Sequence, residues 1–87
     1  MTFEILWTPA ALEQLEYWRK NDLKKVQKIK LLCQAIEVYP ESGLGKPERL
    51  KFFKGNVWSR RIDQEHRLVY EVRSNNIVFI LQCRYHY

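Results

Sequence analysis

The sequence predicts an α+β domain in which two N-terminal helices pack on a small antiparallel β-sheet. Three observations lead there. Apolar residues recur at helical spacing from Ala11 to Ile36 and then take up strand-like alternation from Val57 onward. Between these stretches, Gly43, Gly45, Pro47 and Gly55 interrupt regular structure. The order is one short strand, a helical stretch and then a run of strands, which suits a helix layer over one face of a single sheet. The 87 residues are expected to form one domain, 1–87, without internal repeats. A chain this short buries only roughly 60–65% of its unfolded surface, which makes a partner covering apolar surface plausible.

The elements follow in order. Phe3, Ile5 and Trp7 alternate with Glu4, Leu6 and Thr8, giving a first strand with one apolar face. Thr8-Pro9 reads as an N-cap followed by proline at the first helical position. Ala11, Leu12, Leu15 and Trp18 then share a helical face. Asn21-Asp22 interrupts and offers a second cap, after which Val26, Ile29, Cys33 and Ile36 form another stripe that Pro40 ends. The basic loop 41–56 carries Lys46, Arg49, Lys51 and Lys54, with a short strand expected around 50–53. Three strands follow, at 57–63, 67–72 and 77–87, joined by turns at Gln64-Glu65 and Ser74-Asn75-Asn76.

Composition narrows the function classes. Hydrophobic residues make up 46% and charged residues 29%, a globular balance. The net charge of +5 favours a polyanionic partner such as nucleic acid. Aromatic residues, 14% of the chain, both fill cores and stack on bases. Cys33 and Cys83 lie in separate apolar runs and read as free or buried thiols of a reducing compartment. No signal pattern opens the chain and no apolar run nears the ~20 residues of a membrane span, so the cytoplasm is expected and a membrane partner is not. Two histidines and two dispersed cysteines form no zinc pattern, and no P-loop, nucleophile elbow or dinucleotide fingerprint is present. No cofactor is expected.

Three features could carry chemistry. A loop glutamate is usually a solvated charge, but Glu48 sits among Lys46, Arg49 and Lys51, which favour its ionised form. Arg60, Arg61 and Arg67 crowd two adjacent strands. Their bland explanation is salt-bridging to Asp63, Glu65 and Glu71, yet such surface pairs add only about 0–1 kcal/mol. Strand alternation sends Arg60 and Arg61 to opposite sides. The third feature is Arg84-Tyr85-His86-Tyr87 at the end of the last strand. Histidine is the side chain best suited to proton transfer near neutrality. His66, after a turn, reads as structural. Together these residue types meet the needs of RNA cleavage through the 2′-hydroxyl, which are a base, an acid and cations for the charge on phosphate, without metal.

The ordered motifs Gly45-Lys46-Pro47-Glu48, Trp58-Ser59-Arg60-Arg61-Ile62, Glu65-His66-Arg67-Leu68-Val69-Tyr70 and Cys83-Arg84-Tyr85-His86-Tyr87 resemble the YoeB (Txe) family of bacterial toxins, within the RelE-like superfamily. The resemblance implies a RelE/YoeB-like, microbial-RNase-like fold. It implies a toxin of a type II toxin-antitoxin system that cuts mRNA on the ribosome. It implies a cognate antitoxin of YefM/Phd type, operator DNA bound only through the toxin-antitoxin complex, and a homodimer. It assigns the general base to Glu48, the general acid to His86, charge stabilisation to Arg67 with help from Arg61, and positioning to Tyr87. Lys46, Arg49, Lys51, Arg60 and Arg84 are then RNA contacts. Arg49 stands where the family more often has proline, which bears on substrate preference. Two rivals remain, a topoisomerase inhibitor like the ParE branch and a non-catalytic nucleic-acid-binding module.

Overall fold

Thr8 ends a strand and starts a helix in one step. Its hydroxyl accepts from the Ala11 amide at 3.2 Å and donates to the Ile80 carbonyl at 2.9 Å. In the computed structural model, which describes residues 2–85, the first strand β1 is Glu4–Trp7 and helix α1 is Pro9–Asn21, with Pro9 in its first turn as expected. Asp22 closes α1 and caps the second helix, α2, Leu23–Val38, by accepting from the Lys24 amide. The helix stops two residues before Pro40.

Four further strands complete the sheet. They are β2 (Glu48–Arg49), β3 (Val57–Arg61), β4 (Arg67–Arg73) and β5 (Ile77–Gln82). Their order across the sheet is β1-β5-β4-β3-β2. Neighbours from β2 to β5 run antiparallel, but β1 pairs with β5 in parallel, Glu4 opposite Ile77 and Trp7 opposite Ile80. The sheet is therefore mixed. The wholly antiparallel expectation took β1 as one more hairpin strand. Instead α1, α2 and the loop carry the chain from one edge to the other, and β5 returns to lie beside β1 in the same direction.

Two other boundaries moved. The edge strand forms at Glu48–Arg49 rather than around 50–53, because Leu50 turns inward to a 2%-exposed site and its carbonyl accepts from Phe53. The last strand stops at Gln82, not at 87. A register shift between Val69 and Tyr70 places Gln82 opposite Val69 but Ile80 opposite Tyr70, leaving Leu81 as a bulge.

The helices cover one sheet face. Ala11, Trp18, Ile29, Leu32 and Ile36 pack there with Ile62, Leu68, Tyr70, Val78, Ile80 and Cys83. Leu12, assigned to the buried stripe from spacing, is half exposed, while Leu32, outside the predicted stripe, is fully buried. On the opposite face Leu50, Val57 and Val69 form a smaller cluster with Phe53 and Leu81. That second face has no helix over it, and it carries the charged residues that matter below.

Candidate active site on the uncovered sheet face

Alternation along β3 separates its two arginines. Arg60 shares the helix-side parity of Trp58 and Ile62 and is fully buried. Its guanidinium donates to the Tyr70 hydroxyl and to the carbonyls of Tyr39, Ser42 and Leu44. This corrects the expectation that Arg60 contacts RNA. A cation can be enclosed only when its donors are satisfied, and Arg60 spends them tying the segment after α2 to the sheet. The Tyr70 hydroxyl in turn donates to the Pro40 carbonyl at 2.6 Å. Burial raises the Tyr70 phenol above its ordinary value, against the opposing pull of Arg60.

Arg61 points the other way and is exposed. Ser59 and Arg61 lie on the uncovered face with Val57. Glu48 is opposite Ser59, and Arg67 is opposite Arg61. Glu48, Arg61 and Arg67, contributed by three neighbouring strands, therefore share one face. Glu48 and Arg61 stand as diagonal neighbours, a relation that spans about 7–8 Å between backbones and is readily bridged by long side chains. Like charges directly across a ladder are destabilising, so the Arg61–Arg67 pair opposes stability and suits an anion. The Arg67 guanidinium is held by the preceding turn, Nη1 donating to the carbonyls of Asp63 at 2.9 Å and His66 at 3.1 Å.

The loop after α2 extends this face. The Arg61 amide donates to the Gly45 carbonyl at 2.7 Å, which sets Lys46 beside the end of β3. Gly45 has φ +89°, and a Cβ there would lie 2.7 Å from Leu32 Cδ2. Only glycine allows the loop to approach so closely. Between this loop, the end of β3 and α2 lies an open cleft of about 360 Å³ lined by Lys28, Gly45, Lys46, Arg61, Ile62, Asp63 and Gln64, which neither Glu48 nor Arg67 lines. Lys28, from the basic side of α2, is a cleft residue that the sequence motifs did not single out. Lys51 is exposed beyond the edge strand. Arg49 lies opposite Trp58, on the other parity from Glu48, and its guanidinium reaches the Gly55 carbonyl.

Beyond Gln82 the chain is held closely. The Cys83 amide donates to Gln14 Oε1 at 2.7 Å, and Trp18 Nε1 donates to the Cys83 carbonyl at 2.8 Å. The Arg84 guanidinium stacks 3.4 Å over the Tyr17 ring and 4.6 Å from that of Tyr85. Arg84 thus faces α1, away from Glu48. It ties the chain end to α1. The Tyr85 amide donates to His66 Nδ1 at 2.8 Å, and the Tyr85 carbonyl accepts from the Arg67 amide at 3.1 Å. His86 and Tyr87, assigned as acid and positioning residue, lie outside the described residues.

The turn beneath Arg67 is set by Asp63. Burial works against its charge, but the amides of His66 (2.6 Å) and Glu65 (2.8 Å) donate to it and Lys25 Nζ stands 3.1 Å away, holding the carboxyl below its usual range. Lys25 is raised in turn, chiefly by Asp63. Both cysteines are free thiols, each pushed up to about 12 mainly by burial. Among the described residues no three His, Cys, Asp or Glu side chains converge as a metal site would require.

A family model for the YoeB-like toxin of bacterial type II toxin-antitoxin systems matches residues 7–87. The chain belongs to that family. Toxin YoeB of Escherichia coli K12 is 40% identical over 84 residues, covering 97% of this chain and 99% of that protein. A YoeB/ParE toxin from Agrobacterium tumefaciens superposes with a TM-score of 0.91 at 41% identity, covering 98% of this chain and all of the other. Staphylococcus aureus YoeB, solved as a dimer (TM-score 0.87, 44% identity, 98% of each chain), also matches in its heterotetrameric complex with YefM (0.86, 43%, 98% of each chain). The YoeB-like assignment and the helix-on-sheet fold expected from the motifs are thus both met.

Proposed function

We propose that this YoeB-like chain is a ribosome-dependent endoribonuclease that cuts mRNA through the 2′-hydroxyl. The observation that carries the reading is the convergence of Glu48, Arg61 and Arg67 on the one sheet face without helices. Glu48 removes the 2′ proton, and the freed oxygen attacks the adjacent phosphorus. The bond to the 5′ oxygen breaks, His86 supplies that oxygen with a proton, and a 2′,3′-cyclic phosphate is left. Arg67 and Arg61 stabilise the negative charge that grows on the phosphoryl oxygens. Their mutual repulsion is relieved as the charge develops, so the pair favours the transition state over the empty site. Tyr87 orients the RNA or the acid. Lys46 and Lys51 hold flanking phosphates, and Arg49 extends the basic margin. The ribosome supplies the alignment of the mRNA that so shallow a site does not, an effect worth several kcal/mol or more.

A cognate YefM-type antitoxin is proposed as the controlling partner, supported by the YefM complex of the S. aureus relative. The dimeric form of that relative supports a homodimer. Operator DNA is reached only through the antitoxin complex.

The test is mRNA cleavage in a purified translation system, mapped at nucleotide resolution, for wild type, Glu48→Ala, Arg67→Ala and His86→Ala. Cuts inside the decoding site that all three substitutions reduce by about 10²-fold or more support the reading. A folded wild type that makes no cuts sinks it and favours topoisomerase inhibition or plain binding.

A further inference from the structure

We propose that His66 is a positioning residue for the proton-donating end of the chain. It acts through an Nδ1 acceptor that clamps the backbone at Tyr85. The inference rests on the reading of His86 as the acid and deepens it.

An imidazole nitrogen that accepts from an amide N–H carries no proton. His66 Nδ1 accepts from the Tyr85 amide at 2.8 Å, so its proton lies on Nε2, which stands 3.6 Å from the Glu65 carboxylate. The ring is fixed from two directions. It meets Trp18 edge to face, with centroids 4.8 Å apart, and its own amide is held by Asp63 Oδ1 at 2.6 Å. A ring fixed in this way presents a rigid acceptor to the chain end.

What it holds is costly to hold. Tyr85 has φ +71°, a conformation that a bulky L-residue adopts only when its surroundings enforce it. Both of its backbone groups are engaged on the same short segment, the amide by His66 and the carbonyl by the Arg67 amide. Strained backbone of this kind collects at functional sites. The next residue is His86, and Arg67 is the proposed phosphate-stabilising cation. One dipeptide, His66-Arg67, therefore braces the backbone leading to the acid and also supplies a charge for the phosphate. This gives the two histidines different roles. His66 orients through its Nδ1 acceptor, while His86 exchanges the proton.

Two variants separate the acceptor from the ring. His66→Phe keeps an aromatic ring against Trp18 but has no acceptor. His66→Asn loses the ring but offers a side-chain oxygen near the position of Nδ1. Amide exchange at Tyr85, urea stability, and the kcat and KM of ribosome-dependent cleavage are measured for both and for wild type. In His66→Phe the Tyr85 amide should exchange at least about tenfold faster while β4 amides keep their protection. Its kcat should fall by about 10- to 100-fold with KM little changed, as expected when a reacting group is misplaced and binding is intact. His66→Asn should restore Tyr85 protection and most of kcat. Unchanged Tyr85 exchange in His66→Phe overturns the clamp. Faster exchange with unchanged kcat overturns the positioning role, and global unfolding of both variants reduces His66 to packing. A wild type that never cuts overturns the nuclease reading itself, a result distinct from each of these.

Discussion

Arg60 and Arg61 are consecutive residues of one strand, yet they meet opposite surroundings. Arg60 lies under the helices with its guanidinium spread over three carbonyls and a phenol. Arg61 is exposed at the end of β3, on the face away from the helices and opposite another arginine. The first arginine is a strut whose charge is already spoken for. The second belongs to a cationic pair across the ladder that an anion would relieve. A cation's role in this sheet is thus decided by which side of the pleat it occupies, not by its place in a motif.

The largest expected effect breaks that comparison if it fails. Arg60→Met leaves the carbonyls of Tyr39, Ser42 and Leu44 without that donor and should lower stability by about 3–5 kcal/mol. For a domain with about 5–15 kcal/mol in all, that is a large share. Arg61→Met should change stability by no more than about 0.5 kcal/mol while abolishing most cleavage. Urea titrations of the two variants decide it, and equal losses would erase the distinction.

A smaller effect probes the wall between the faces. Gly45→Ala forces a Cβ to within 2.7 Å of Leu32 Cδ2 and 3.1 Å of Arg60 Cβ at a positive φ. The expected cost is about 1–3 kcal/mol, read from thermal or urea unfolding. A neutral result would mean that the loop can lift away from β3.

Asp63→Asn should cost about 1 kcal/mol or less, since the group is partly exposed. The sign with pH follows from its depressed folded value. Its stabilisation is present above the ordinary carboxylate value of about 3.9 and is lost as pH falls through the lower folded value. The gap between wild type and Asp63→Asn should therefore be constant near neutrality and close in stronger acid. Smallest of all is the effect of a thiol reagent on the native protein at pH 8. With both thiols pushed up to about 12, alkylation should be slow and should follow unfolding. Fast labelling of folded protein would show the helix side to be looser than its packing implies.

Much of this was legible in the residues. Thr8-Pro9 and Asp22 announced both helix starts, because capping is local chemistry. Strand alternation separated Arg60 from Arg61 in direction. It did not say which was buried, since that depends on which face the helices choose, a long-range fact. The motif resemblance grouped Glu48, Arg61 and Arg67, and the ladder then gave them a common face. The stacking of Arg84 on Tyr17 was not legible, because it joins residues far apart in sequence. His66 was read as structural from its place after a turn, and the hydrogen bond that gives it more to do spans nineteen residues.

The strand order has a consequence for the timing of synthesis. β5 lies between β1 and β4, so the first strand made has no partner until the last strand is made. While the chain grows at about 5–20 residues per second, β1 has no sheet edge to join and both helices lack much of the surface they will cover. A product truncated before residue 77 loses an inner strand of the sheet, not a fringe, and should fail to fold rather than work poorly. Whatever depends on the folded sheet can begin only after β5 has been made.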